Sequence, residues 1–375
     1  GRGVCGERGP GKMPRRLRLL KDRIVLEQSS SSRCVSITLD TSAPRKFSAK
    51  VVDKASVLPD AGGSSGNSVV VDAVFGFYQL LSGPFIAVVL DSEVVINGIP
   101  DINFRRVTKV AILPVFSKSL KLTNAQKKDE DRYLHLLHAA ISQHQFYFSY
   151  NTDVTHTLQR AVLMTGSNRA KPIAKRADDR FFWNKSVVQE LEEANAYDWV
   201  TPMMSAYVEA RTGLQAAGLS FTLLFISRRS RYRQGCRFTK RGVDAAGNVA
   251  NFVETEQALL FSSGARASYV QVRGSIPLLW SSPVTMKYAP KVRIDSNVDR
   301  HRQAFQRHLD GLFKDFDEVL MVNLIDKKKD QGRLGKEFED NAEYFSKQLQ
   351  GSKRRRDEAG RNLDHGGAQA MASSG

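Results

Sequence analysis

Seven cations fall within fourteen residues at Arg228, Arg229, Arg231, Arg233, Arg237, Lys240 and Arg241, with no acidic residue between them. A guanidinium offers a planar fork of donors that matches the paired oxygens of a phosphate, so arginines at this density suit an oxyanion ligand. The bland reading of the same run is a solvated strand edge, where charge discourages pairing with another chain. Position favours the ligand. The run begins where the apolar segment LSFTLLFIS at 219–227 ends, and α/β sheets bind ligands at the carboxyl ends of their strands. The other reactive side chains form no comparable group. Cys5, Cys34 and Cys236 are odd in number and have no paired spacing, which excludes a disulfide framework and a zinc cluster and makes a reducing compartment the default. His135 and His138 stand three apart on an expected helix, but no cysteine or carboxylate completes a ligand set, so no metal is expected.

The elements that must position these residues follow from composition and periodicity. The chain has 375 residues, 41% hydrophobic and 25% charged, with a net charge of +17. That is globular rather than disordered, and it points to an anionic partner: nucleic acid, anionic lipid or a phosphorylated small molecule. The uncharged run AVFGFYQLLSGPFIAVVL between Asp72 and Asp91 is 18 residues long, the lower limit for a membrane-spanning helix. Gly83-Pro84 breaks its middle and β-branched residues enrich its flanks, so two strands joined by a turn are expected. Short β-prone runs fill 29–115, and Tyr133, Leu134, Leu137 and Ile141 then recur at helical spacing. FYFSY at 146–150 reads as a strand and HTLQRAVLM at 156–164 as a short helix. The polar stretch 166–179 reads as a domain boundary. Beyond it, 187–194 is expected to be helical, 219–227 and 266–280 are strands, and 237–257 is two strands with a turn at Asp244–Asn248. A helix at 297–316 feeds the apolar run VLMVNLI at 319–325, expected to be a buried strand, so the fold class is α/β. From Gly351 onward the composition turns to Gly, Ala, Ser and charge, and disorder is expected. Lys353-Arg354-Arg355-Arg356 there reads as a solvated basic tail rather than an import signal.

Three blocks, ISRRSRYRQG at 226–235, KRGVDAAGNVANFVETEQ at 240–257 and VQVRGSIPLLW at 270–280, resemble consecutive signatures of the Sac-domain phosphoinositide phosphatases. FYFSYNTDVTHTLQR at 146–160, RFFWN at 180–184 and YQLLSGPFIAVVL at 78–90 match upstream, and LMVNLID at 320–326 and GRLGKEFED at 332–340 match downstream. The resemblance covers about 25–349 and implies a basic extension at 1–24, an α+β N-terminal subdomain at 25–165 and a linker at 166–179. It further implies part of an α/β catalytic domain at 180–350 and a tail at 351–375. It implies dephosphorylation of phosphoinositides, chiefly phosphatidylinositol 4-phosphate, at the cytosolic face of endoplasmic reticulum or Golgi membranes, with no metal or other cofactor.

The family chemistry uses a cysteine, five intervening residues and an arginine; the thiolate attacks phosphorus while backbone N–H groups and the arginine hold the phosphate. Six places after Cys5, Cys34 and Cys236 stand Gly11, Asp40 and Gly242. The chain as written is therefore expected to be inactive, the favoured account being a truncated phosphatase and the alternative a catalytically dead phosphoinositide- or membrane-binding module. Expected headgroup contacts are Arg228, Arg229, Arg231 and Arg237, with Lys240 and Arg241 second. Asn248 is expected in a turn, with Asn251, Glu254, Thr255 and Glu256 ordering a neighbouring loop; Arg273 and Ser275 are left open between a structural and a functional role. An anionic membrane surface is the expected peripheral partner. Nucleic acid rests on charge alone and is set aside. Without further partners, 219–226 and 319–325 are expected to expose apolar surface.

Overall fold

Alternation of apolar and polar residues begins earlier than the resemblance does. In the computed structural model, Leu17 is fully buried between Arg16 and Arg18, inside the segment expected to be a basic extension. The structure describes residues 15–20, 22–39, 47–58, 67–96, 102–116, 121–143, 145–164, 166–236, 239–283 and 291–372, with side chains as far as 350. Arg237 and the leading residues 1–14 lie outside the described residues. The chain divides into two compact units, one of residues 1–231 and 253–272 and the other of 232–252 and 273–375.

In the first unit, β1 (Arg15–Leu19), β2 (Arg23–Gln28), β3 (Arg33–Leu39) and β4 (Phe47–Asp53) are followed by the short α1 (Lys54–Val57) and β5 (Asn67–Val71). They form an antiparallel sheet in the order β4-β3-β2-β1-β5. The uncharged run next to it is the expected hairpin: β6 (Ala73–Gln79) and β7 (Pro84–Val94) pair antiparallel, and Leu80 N–H donates to Gly83 O at 2.9 Å across the turn. Then come β8 (Arg105–Pro114), α2 (Asn124–Gln143), β9 (Phe146–Phe148), α3 (Leu158–Leu163), α4 (Ser167–Ala170), α5 (Ile173–Arg176) and α6 (Gln189–Glu193). Strands β10 (Met204–Ala216), β11 (Leu219–Arg229), β12 (Val253–Phe261) and β13 (Arg266–Arg273) complete an eight-stranded sheet ordered β13-β12-β11-β10-β9-β8-β7-β6.

The period of two sorts this large sheet into two faces. Val74, Phe77, Ile86 and Val88 pack against Leu17, Ile24, Leu26, Val35 and Ile37 of the smaller sheet. Ala73, Phe75, Ala87 and Val89 face the other way, onto Ile141 of α2 and onto Phe146, Phe148 and Met203. Gly76 permits one close approach: a Cβ there would stand 2.5 Å from the Val187 carbonyl oxygen. The linker expected at 166–179 instead lies within this unit. The reason is the pairing of β9 with both β8 and β10, which carries one sheet across the segment.

In the second unit, β14 (Trp280–Ser281) pairs with β15 (Arg293–Ile294), followed by α7 (Val298–Phe313) and α8 (Lys329–Ala372). Asn297 caps α7 by accepting from Arg300 N–H at 3.0 Å. The apolar stripe expected for this helix buries Phe305, Leu309 and Leu312, and the Phe305 ring stacks on Phe345 of α8 at 5.4 Å. Two expectations are corrected. The run 319–325 is not a strand and is not buried, because no strand among the described residues pairs with it. The backbone of α8 continues through 351–372, where disorder was expected; that stretch has no proline and carries four Ala and four Arg, which favour helix, against four Gly, which do not. The mixture of strands and helices among the described residues is the α/β class read from the sequence.

Candidate functional site

Strand β11 carries the arginine run out of the sheet, and alternation decides how each arginine is used. Arg228 points inward and is fully buried. It lies opposite Glu254 in the antiparallel register with β12, and Ile226 lies opposite Glu256. Because Glu254 and Glu256 are two apart on a strand, both carboxylates share the face that meets Arg228. Arg228 Nη1 stands 2.9 Å from Glu256 Oε2 and 3.5 Å from Glu254 Oε1. Its remaining donors serve carbonyls, Nε to Val154 O at 3.0 Å and Nη2 to His156 O at 2.9 Å.

The network spreads from there through segments distant in sequence. Glu254 accepts from Arg160 Nη2 at 3.0 Å, and Arg160 Nη1 donates to Asp178 Oδ2 at 2.6 Å. Arg180 Nη2 donates to the same carboxylate oxygen at 2.6 Å. Glu256 Oε1 accepts from Leu158 N–H at 2.7 Å and from Ser268 Oγ at 2.8 Å. Asp153 Oδ1 accepts from Thr155 Oγ1 at 2.6 Å, and its other oxygen lies 3.0 Å from His156 Nδ1. Arg160, Arg180 and Arg228 thus balance Asp178, Glu254 and Glu256, which is the condition for holding charges in an interior. Burial pushes the Glu254 carboxyl up, against the charges of Arg228 and Arg160. Burial opposes ionisation of Asp178 as well, but the hydrogen bond and charge of Arg180, with Arg160, hold it well below the usual carboxylate range.

Neighbouring members of the run are placed differently. Arg229 is exposed, while its carbonyl accepts from Trp183 Nε1 at 2.8 Å. Arg231 is half-buried, its N–H donating to Arg180 O at 2.7 Å and its Nε to Asp179 O at 2.6 Å. In the second unit Lys240 is exposed and Arg241 sits 5.4 Å from the centre of the Trp280 ring. The expected turn is present: Asp244 Oδ1 accepts from Ala246 N–H at 3.0 Å and from Asn248 N–H at 2.9 Å. Gly247 at its tip has φ +89, and a Cβ there would meet the Arg307 carbonyl carbon at 2.7 Å. Asn251 also takes a positive φ of 56°. Ser275 holds the start of this block by accepting from Gly242 N–H at 2.8 Å, whereas Arg273 is exposed.

Arg228 therefore has a different role from the headgroup contact expected of it, because its guanidinium meets protein on every side. Glu254 and Glu256 likewise serve Arg228, and through it order 153–158. Arg160, Asp178 and Arg180, with Asp153 and His156, were not singled out as a set from the sequence. The signal available was indirect, in that Asp153, His156 and Arg160 fall inside FYFSYNTDVTHTLQR, Arg180 opens RFFWN and Asp178 stands two residues before it. Asn184 of the latter is fully buried, donating to Phe75 O at 2.9 Å and accepting from Met203 N–H at 2.8 Å. Among the described residues no group of three or more His, Cys, Asp and Glu is placed to hold a metal ion. No helix among them is long and apolar enough to cross a membrane.

The segments that meet in this network are those that carry the family resemblance, and comparison with known proteins decides the matter. The SacI homology domain model matches residues 72–361. The chain belongs to the SacI homology domain family. The phosphoinositide phosphatase SAC8 of Arabidopsis thaliana is 34% identical to this SacI domain over 286 residues, 74% of the chain and 47% of the relative. The phosphatidylinositol-3-phosphatase SAC1-B of Danio rerio is 32% identical over 269 residues, 71% of the chain and 45% of the relative. The phosphoinositide phosphatase SAC7 of Arabidopsis thaliana is 32% identical over 339 residues, covering 87% and 54%. This SacI domain thus spans about half the length of the curated relatives it matches.

Proposed function

We propose that these residues form the phosphoinositide-recognition portion of a phosphatidylinositol-phosphate phosphatase and bind the lipid headgroup without hydrolysing it by themselves. Family membership carries this reading. Arg229 and Arg231, at the end of β11, are the headgroup contacts of the first unit, and Lys240, Arg241 and Arg237 are candidates on the second unit taken by itself. Arg228 acts behind the first two as a positioning residue: its network anchors the end of β11 that presents Arg229. Hydrolysis by this chain alone is not part of the reading, since none of its three cysteines has an arginine six places on and no other thiolate loop is available to attack phosphorus. The preferred lipid is phosphatidylinositol 4-phosphate, at the cytosolic face of endoplasmic reticulum or Golgi membranes. The name of the Danio rerio relative puts that protein's activity on a 3-phosphate, so the two isomers are the decisive pair.

The test measures binding of the intact chain to vesicles carrying the 3- or the 4-phosphate and assays the same samples for released phosphate. Tighter binding to the 4-phosphate with no release is expected. Binding no better than to uncharged vesicles overturns recognition, and stoichiometric or faster release overturns the non-hydrolytic reading.

A further inference from the structure

Between Thr157 and Ala177 the chain carries Arg160, Arg169, Lys171, Lys175 and Arg176 and no acidic residue. The structure divides these five. Arg160 is turned inward onto Asp178 and Glu254, and its pair with Asp178 closes the base of the segment. Arg176 is also tied inward, donating to Arg169 O at 2.7 Å and standing 4.0 Å from Asp153. Arg169, Lys171 and Lys175 are exposed. Lys171 donates to Asn168 Oδ1, and Lys175 rests 4.3 Å from the centre of the Tyr197 ring. None of these three has a carboxylate within ion-pair reach among the described residues.

Beside them the same segment shows apolar side chains to solvent. Val162 is 70% exposed and Leu163 is 69% exposed at the end of α3, where the helix turns into the basic stretch. Exposed single apolar residues are ordinary. An adjacent exposed apolar pair at the end of α3, followed by outward cations and no anion, is the composition of a surface that enters a lipid interface. Apolar tips reach the acyl boundary while lysine and arginine heads stay with the lipid phosphates.

We propose that the described residues of 161–164 and 166–175 form a membrane-docking face that inserts Val162 and Leu163 into an anionic bilayer, with Arg169, Lys171 and Lys175 against the lipid phosphates. The partner is a lipid surface of net negative charge. No phosphoinositide is needed, so this face stands apart from headgroup recognition.

The experiment uses the intact chain and sedimentation with phosphatidylcholine vesicles, with and without phosphatidylserine, at increasing salt. The triple variant Arg169→Ser, Lys171→Ser, Lys175→Ser should lower partition to the phosphatidylserine vesicles roughly tenfold or more and flatten its salt dependence. The double variant Val162→Ser, Leu163→Ser should lower partition several-fold while leaving the salt dependence in place. Lys127→Ser, Lys128→Ser removes two exposed cations from α2 and should change partition less than about twofold. Separately, Leu163→Trp should add quenching by brominated lipid beyond that of the three native tryptophans. No added quenching, unchanged partition of the triple variant, or an equal loss from the α2 variant overturns the proposal. So does capture of an acidic polypeptide without vesicle binding. The vesicles contain no phosphoinositide, so a failure of headgroup recognition leaves these outcomes intact.

Discussion

The runs LSFTLLFIS in β11 and VLMVNLI at 319–325 carry similar side chains, yet Leu224 and Ile226 are 0% exposed while Leu320 and Leu324 are each 90% exposed. β11 has β10 on one side and β12 on the other, and its backbone groups are paired along both edges. The second run has no strand beside it among the described residues. Apolar, β-prone composition is a tendency; a strand forms when neighbours complete its hydrogen bonds and cover its face. The expectation that 319–325 would be a buried strand assumed those neighbours. The accompanying expectation, that the run would show apolar surface without them, describes what the structure has. For β11 that expectation is corrected only at Leu224 and Ile226, which are fully covered, whereas Leu219 at its start is 55% exposed.

The strongest test of this contrast is at the charged end of β11. Arg228→Ala removes the cation paired with buried Glu256 and one of the two that face Glu254, and a loss of about 3–5 kcal/mol is expected in urea denaturation of the intact chain. A loss under 1 kcal/mol would show that the network does not hold the strand end. Next, Leu224→Ala should cost about 2–5 kcal/mol through the cavity it leaves, and an unchanged melting profile would deny that β11 is a core strand.

Asp178→Asn comes third, at about 1–3 kcal/mol near neutral pH, because it weakens hydrogen bonds between charged partners. The folded carboxyl is held below its unfolded range, so its contribution is complete above the ordinary carboxylate pKa near 4. That contribution is lost as the pH falls through the depressed value. The difference between wild type and variant should therefore shrink on acidification, and a difference that grows instead would reverse the assigned sign. Smallest in stability is Leu320→Ser with Leu324→Ser, within about 0.5 kcal/mol. Light scattering should nonetheless fall markedly, as exposed apolar area is removed; unchanged scattering would mean that this run is not the adhesive surface.

Legibility followed the range of the interactions involved. The hairpin at 73–94 could be read because Gly83-Pro84 and the β-branched flanks act locally. The α7 start at Asn297, the helical stripe through Phe305, Leu309 and Leu312, and the Asp244–Asn248 turn are local as well. The family could be read from ordered blocks without knowing what each residue touches. The inward network could not, since Arg160, Asp178, Arg228 and Glu254 meet only after four separate segments converge.

The arginine run shows where the division falls. Its types and spacing, available in the sequence, determined that the chain concentrates guanidinium groups at the end of one strand and that adjacent residues there must point to opposite faces. Which face lies inside was settled by tertiary structure. Antiparallel pairing with β12 sets two glutamates against Arg228, and desolvated charge is tolerable only where such partners stand, while Arg229, one residue on, is left at the surface.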